Sequence, residues 1–550
     1  MNKLLRLAAL AAMVTLGMCS AMATDYYARR ITEIIPKPAV CDIDTAAPPF
    51  ELSRSTVVYY AGNGAGTSAR YLADYTSRYL GLPVATVRKS PMKPCISLIN
   101  RNNHGTPGGY SLTIDPTIGA VVDGNDEQGV FYGVQTLIQL LPTRAGVVPL
   151  LPAARIIDHP RFAYRGMHLD VVRHFFPVEF VKRYIDWLAL HKMNYFHWHL
   201  TDDQGWRIEL KSHPELTARA SQRAGEIEGV FPGRYRPLPY GGYYTQQQIN
   251  EVVDYAASRY VTVVPEIDVP GHCMAVLAVH PEFSTTPQLP KATAQTWGIY
   301  NRQNNVLAPT PEVFKFLSDV FNEVCALFPG QYIHAGGDEC APRWWKESEQ
   351  TQQFIKSHGL IDENGLQRYF MNYVKRIVNS HGKTVIGWNG GIEQCDSAGS
   401  VVMNWHHRSG VSAQKLTPGH RTIIAPGRWF YFDYIEDSTQ QMVMSGRQQL
   451  LTVKMVYDFN IVPDSATASQ AQLIMGAEGC MWTEYAPAPW KVEALVFPRL
   501  AALCENAWSQ HRDWADFKRR LVRQSERYDL WGIRYNPSVF TAEPTGPRYR

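Results

Sequence analysis

Several acidic, basic and aromatic side chains stand where a folded chain could put them to chemical use. Asp338 and Glu339 are adjacent carboxylates behind Gly336-Gly337. Two carboxylates in different environments can divide into a proton donor and an anion, although such a pair taken alone is more often a solvated loop. Asp202 and Asp203 follow His197-Trp198-His199-Leu200-Thr201, His272 follows Pro270-Gly271, and Arg173 precedes His174. An arginine offers a rigid fork of donors, for a ligand or for a surface ion pair. Trp388, Trp405 and Trp482 close apolar runs and read as pocket walls or as core. His197-x-His199 also fits the ligand pair of a metal-dependent hydrolase, because alternate strand residues share a face.

For these residues to meet, the chain must carry them on regular elements. After Asp158 the rhythm alternates strands and helices, the pattern of a parallel sheet. Strands are expected to begin near Tyr164, Asn194, Val261, Tyr332, Thr384, Val401, Thr422 and Gln472, with helices over 177–191, 246–259, 311–328 and 363–380. Eight strands fit a closed (β/α)8 TIM barrel, in which reacting groups sit at the C-terminal strand ends. The polar residues above fall at those ends. Before the barrel, strands over 55–60, 95–100 and 109–114 and helices over 69–80 and 129–140 suggest a small α+β domain. The expected division is a leader at 1–23, an α+β domain at 24–158, the barrel at 159–510, and a helical extension packing on the barrel at 511–550. The long connections 211–244 and 427–470 are of the length that often carries function.

Hydrophobic residues make up 45% and charged residues 19%, a globular composition, and the formal charge of +4 has no basic run, which excludes a nucleic-acid partner. Lys3 and Arg6, an apolar run over 7–18 and Ala21-Met22-Ala23 predict an export signal, hence a periplasmic or extracellular protein. Lipid anchoring at Cys19 is disfavoured by the bulky Met18. No later stretch reads as transmembrane. No cysteine spacing matches a zinc or redox motif.

The ordered set of motifs resembles glycoside hydrolase family 20, the β-N-acetylhexosaminidases. It comprises Asp158-His159-Pro160-Arg161-Phe162, Arg165-Gly166, Arg173-His174-Phe175, His197-Trp198-His199-Leu200, Pro270-Gly271-His272, His334-Ala335-Gly336-Gly337-Asp338-Glu339 and Cys480-Met481-Trp482-Thr483-Glu484-Tyr485, across roughly residues 30 to 510. The resemblance implies removal of terminal β-linked N-acetylglucosamine or N-acetylgalactosamine from an oligosaccharide or glycoconjugate. Retention would come through attack by the substrate's own acetamide oxygen, with neither metal nor cofactor. It implies Glu339 as the acid, Asp338 as the carboxylate orienting the acetamide, and Asp202 with His272 as modulators of the acid's protonation. Arg173 is implied as the sugar anchor and Trp388, Trp405 and Trp482 as acetamide walls. Tyr431 would bond the acetamide oxygen, and Asp433 and Glu484 the outer hydroxyls. One departure is Asn389 after Trp388, where many relatives carry an acid. Two rivals stand beside this reading: a metal-dependent hydrolase built on His197 and His199, and a sugar-binding protein that has lost catalysis.

Overall fold

The computed structural model describes residues 32–541, except 104, 229–232, 296, 406–415 and 438–449; the leader expected at 1–23, with Cys19, lies outside the described residues. The chain divides into two compact units.

The first unit runs to Arg161 and includes Leu190–Lys192 and Cys504–Arg534. Its seven-stranded sheet has the order Val40–Ile43, Ala154–Asp158, Tyr110–Asp115, Gly119–Gly124, Cys95–Asn100, Val57–Ala61, Ala85–Val87. Tyr110–Asp115 buries alternate residues, as a strand with one covered face must. Helix Glu127–Leu140 begins at Asp126, whose side chain accepts from Gly129 N at 2.6 Å and so meets one orphan donor of the first turn. Asp158, from the first motif, holds this unit together: it accepts from Tyr110 Oη (2.8 Å), Lys192 Nζ (3.1 Å) and Trp508 Nε1 (3.0 Å). Helix Trp514–Trp531, expected as a buttress of the barrel, finds its partners in this unit. Arg527 Nη2 donates to Gln139 O at 2.9 Å and Trp531 Nε1 to Tyr75 Oη at 2.9 Å.

The second unit is a closed barrel of eight parallel strands. In order they are Tyr164–Asp170, Tyr195–His199, Thr262–Glu266, Tyr332–His334, Thr384–Trp388, Ser400–Asn404, Arg421–Ile424 and Ile474–Met481. Helices Val178–Leu190, Gln246–Ala257, Pro311–Leu327 and Glu363–Ser380 match the expected ones closely. The interior is not purely apolar. Glu266 lies 3.1 Å from His197 Nε2 and 3.0 Å from His334 Nδ1 and accepts from Trp388 Nε1 at 2.7 Å, while Glu478 lies 2.7 Å from His197 Nδ1. Buried charges persist only when paired in this way. Among the described residues no helix is long and apolar enough to cross a membrane, and Cys41, Cys95, Cys273, Cys325, Cys340, Cys395, Cys480 and Cys504 are free thiols.

Candidate active site

The fourth strand ends at His334, and the chain must then reverse sharply. Gly336 and Gly337 make that turn at φ 63° and 93°. A Cβ on Gly336 would stand 1.7 Å from Asp268 Oδ1, so glycine is required there. The turn delivers Asp338 and Glu339 to the strand end. Glu339 itself sits at φ 39° and His272 at φ 52°. Left-handed backbone costs a non-glycine residue on the order of 1–3 kcal/mol and collects at functional sites.

A relay of charged groups leads to Glu339. Glu266 holds His199 Nδ1, and His199 Nε2 lies 3.0 Å from Asp202 Oδ2. Asp202 Oδ1 lies 3.1 Å from His272 Nδ1, with Asp203 Oδ2 on the same nitrogen at 3.3 Å. His272 Nε2 then faces Glu339 Oε2 at 3.5 Å and Asp338 Oδ2 at 3.8 Å. Burial disfavours charge on His272, but the charges of Asp202 and Asp268 and the hydrogen bonds to Asp202 and Asp203 outweigh it and raise its pKa well above the ordinary value. Burial likewise works to raise Glu339, yet the hydrogen bond and charge of His272, with Arg173, leave it below the ordinary carboxylate value. Asp338 moves the other way: burial, aided by Glu339 and against His272, raises it to about 7. These directions are the reverse of a neutral Glu339 beside a charged Asp338. The physical reason is that the imidazolium stands nearer to Glu339, whose side chain is also more exposed (40% against 16%).

Four aromatic rings gather at the ends of the barrel strands. Trp388 ends the fifth strand, Trp405 follows the sixth, and Trp482 follows the eighth. The register of Tyr431 is set by a bridge to Cys480 and by Phe432 N donating to Cys480 O at 2.7 Å. Trp388 and Trp482 have centroids 6.0 Å apart, Tyr431 and Trp482 5.9 Å, and Trp405 and Tyr431 6.5 Å with nearly parallel planes. Burial pushes the Tyr431 phenol well up, and Asp338 is among the charges that add to this. Asn389, the departure from the family pattern, has a role: its side-chain oxygen accepts from Trp405 N at 2.8 Å and its carbonyl from Trp405 Nε1 at 3.0 Å.

At the outer edge Arg173 lies over the Trp482 ring at 5.2 Å. Its guanidinium is 2.7 Å from Asp202, 3.3 Å from Asp170 and 3.8 Å from Glu484, and Nε donates to Gln204 at 2.9 Å. Both oxygens of Asp433 and Oε2 of Glu484 are buried with no hydrogen-bond partner. Burial raises both carboxyls. A buried polar group left unmet costs about 1–3 kcal/mol, so this pair is suited to hydroxyl donors of a ligand.

Chemically the arrangement offers a proton-exchanging carboxyl beside a second carboxylate, an aromatic slot, and an outer rim that reads hydroxyls. Glu339, Asp338, Asp202, His272, Arg173 and Glu484 are linked by ion pairs, and Trp388, Trp482, Tyr431 and Trp405 by ring contacts, with Asp433 near Glu484. Asp203, Gln204, Asp268 and Asn389 were not foreseen as site residues; the run Asp202-Asp203-Gln204 at a strand end was the available signal. His197 and His199, the basis of the metal-dependent rival, are fully buried, and Glu478 and Glu266 overcome the burial penalty and push His197 up to about 9.

Residues 162–511 match "Glycosyl hydrolase family 20, catalytic domain" and residues 32–159 match "Glycosyl hydrolase family 20, domain 2". The chain belongs to glycosyl hydrolase family 20. A Porphyromonas gingivalis β-hexosaminidase is 39% identical over 78% of this chain, which spans only 54% of that protein's length. A Cellulomonas fimi β-N-acetylhexosaminidase is 32% identical over 94% of this chain and 97% of its own. Among family 20 structures, an exo-β-N-acetylglucosaminidase from Vibrio harveyi, solved in complex with N-acetylglucosamine, superposes with a TM-score of 0.81 at 30% identity, covering 92% of this chain and 78% of that one.

Proposed function

We propose that this family 20 chain is an exo-acting, retaining β-N-acetylhexosaminidase that releases terminal β-linked N-acetylglucosamine and N-acetylgalactosamine. One observation carries the reading: Asp338 and Glu339 share His272 beside an aromatic slot whose outer rim holds Arg173 and the unmet carboxylates of Asp433 and Glu484. A sugar with an acetamido group answers each part. Its hydroxyls meet Arg173, Asp433 and Glu484, its methyl enters the slot of Trp388, Trp405 and Trp482, and Tyr431 donates to its carbonyl oxygen.

In the first step Glu339 protonates the glycosidic oxygen while the acetamide oxygen attacks the anomeric carbon. Asp338 accepts the acetamide N–H and balances the charge of the cyclic oxazolinium intermediate. Water then attacks the same carbon, Glu339 takes its proton, and the configuration is retained. The substrate also corrects the inverted charges. A donated N–H favours the Asp338 anion, and covering Glu339 with the leaving group disfavours its charge, so the proton that Asp338 gives up passes by way of His272, which faces both carboxylates, to Glu339.

A chromogenic β-N-acetylglucosaminide compared with the matching β-glucoside tests this. Turnover should require the acetamide, and a thiazoline mimic of the cyclic intermediate should bind far more tightly than the free sugar. Sugar binding without turnover would instead favour a retired, binding-only barrel. Export to the periplasm or beyond belongs to the same proposal and is supported by Lys3, Arg6 and the apolar run 7–18.

A further inference from the structure

A second group of chemistry-bearing residues lies outside the relay. His213 and Glu215 stand in the connection after the second barrel strand, and His280 follows helix Met274–Val279. One ligand atom from each of His213, Glu215 and His280 lies within 4.8 Å of the other two. We propose that these three residues bind one first-row divalent transition ion of the zinc class.

The spacing supports this. Glu215 Oε1 is 3.1 Å from His213 Nδ1 and 3.1 Å from His280 Nε2. Ligands at zinc bond lengths of about 2.0–2.1 Å in a tetrahedron lie about 3.3 Å apart. Two imidazoles and a carboxylate suit zinc, nickel or cobalt and not calcium or magnesium, which take oxygen ligands.

The far nitrogens supply independent support. Metal-bound histidines almost always give their other ring nitrogen to a carboxylate, a carbonyl or water, which fixes tautomer and ring orientation. His213 Nε2 lies 3.3 Å from Asp319 Oδ2, and His280 Nδ1 lies 3.0 Å from Glu282 Oε1. Each ring thus has one nitrogen on the shared Glu215; the other is hydrogen-bonded to Glu282 in His280, and in His213 it is a buried nitrogen without a hydrogen bond that faces Asp319. Lys315 Nζ, 2.6 Å from Asp319, steadies the outer partner.

The group is also held in place before any ion arrives. The His280 ring stacks on Phe283 at 4.7 Å, and the His213 ring meets the edge of Phe316 at 5.0 Å. Lys211 N and Ser212 N donate to Glu323 at 2.6 and 3.1 Å, fixing the connection just before His213. The three side chains are 16%, 34% and 20% exposed, which leaves an entry path and room for a water ligand. A bound ion would fasten this connection to the helix that begins just after His272.

The test uses the full chain without a polyhistidine tag, stripped by chelator and titrated with zinc chloride by calorimetry. One ion per chain should bind at micromolar concentration or below, and the melting temperature should climb with free zinc. His213→Ala and His280→Ala should each weaken binding at least about tenfold, and Asp319→Asn about 10–100-fold, as outer partners do. Turnover of the chromogenic substrate checks that each variant is folded, and Glu215→Gln, which keeps both rings, provides a milder variant. Equal affinity in wild type and the His213→Ala/His280→Ala pair, or binding only at millimolar zinc, would overturn the proposal.

Discussion

Asp202→Asn keeps the shape of a buried side chain while removing the charge that holds the proton on His272. The carboxylate touches Arg173 at 2.7 Å, His199 at 3.0 Å and His272 at 3.1 Å. Breaking a buried ion pair costs about 3–5 kcal/mol, which at about 1.36 kcal/mol per pKa unit is roughly two to four units. Asp203 remains 3.3 Å from the same nitrogen, so the lower end applies, and His272 should fall by about two units. His272 is raised in the native protein and keeps the catalytic proton to high pH; without Asp202 that proton leaves at lower pH. The basic limb of the kcat/KM profile should therefore move down by about two units. The active window narrows from its basic side. Initial rates on a chromogenic β-N-acetylglucosaminide between pH 4 and 10 measure both limbs. A basic limb unmoved within about 0.3 unit would falsify the coupling between Asp202 and the acid.

Glu339→Gln should lower kcat about 10²–10⁴-fold on a disaccharide substrate, whose poor leaving group needs the proton, and less on a nitrophenyl glycoside; an unchanged rate on the disaccharide removes Glu339 as the acid. Asp433→Asn should stabilise the free protein. Its native pKa is raised, so its charge opposes folding above pH 4 and the gain seen at pH 7 should vanish as pH falls toward 4. The same variant should lose about 10–100-fold in kcat/KM, the worth of a hydrogen bond to a charged group; calorimetry and kinetics that move in the same direction contradict this. Prolonged treatment with a strong chelator should leave turnover intact, since no step passes through an ion; loss of activity that also appears in the His213→Ala/His280→Ala protein would revive the metal-dependent reading of His197 and His199.

Much of the barrel was legible because a buried parallel strand and its helix carry strong periodic signals. Glu363–Ser380 is found where apolar spacing put it, and the strands begin within about two residues of the expected positions. The strands Gly119–Gly124 and Ala154–Asp158 escaped notice, one bracketed by glycines and the other short with a central Arg155-Ile156-Ile157. The type and order of the catalytic candidates were readable, as was their place at strand ends. The partition of protons was not. It depends on His272 standing 3.5 Å from Glu339, a distance set by two left-handed residues on different loops. Asp203 and Gln204 show the same limit, since their service to His272 and Arg173 is a through-space relation that no spacing announces.

Asn389 grips Trp405 by both backbone and indole nitrogens, while Trp388 is rooted deep in the barrel on Glu266. The two sides of the slot thus differ in stiffness, one moored to the scaffold and the other to a neighbouring loop. Enlarging the tolerated acyl group, from acetyl toward propionyl or glycolyl, should therefore start at position 389 and leave the indoles alone. Selection for relaxed acyl preference would be expected to accumulate changes there first.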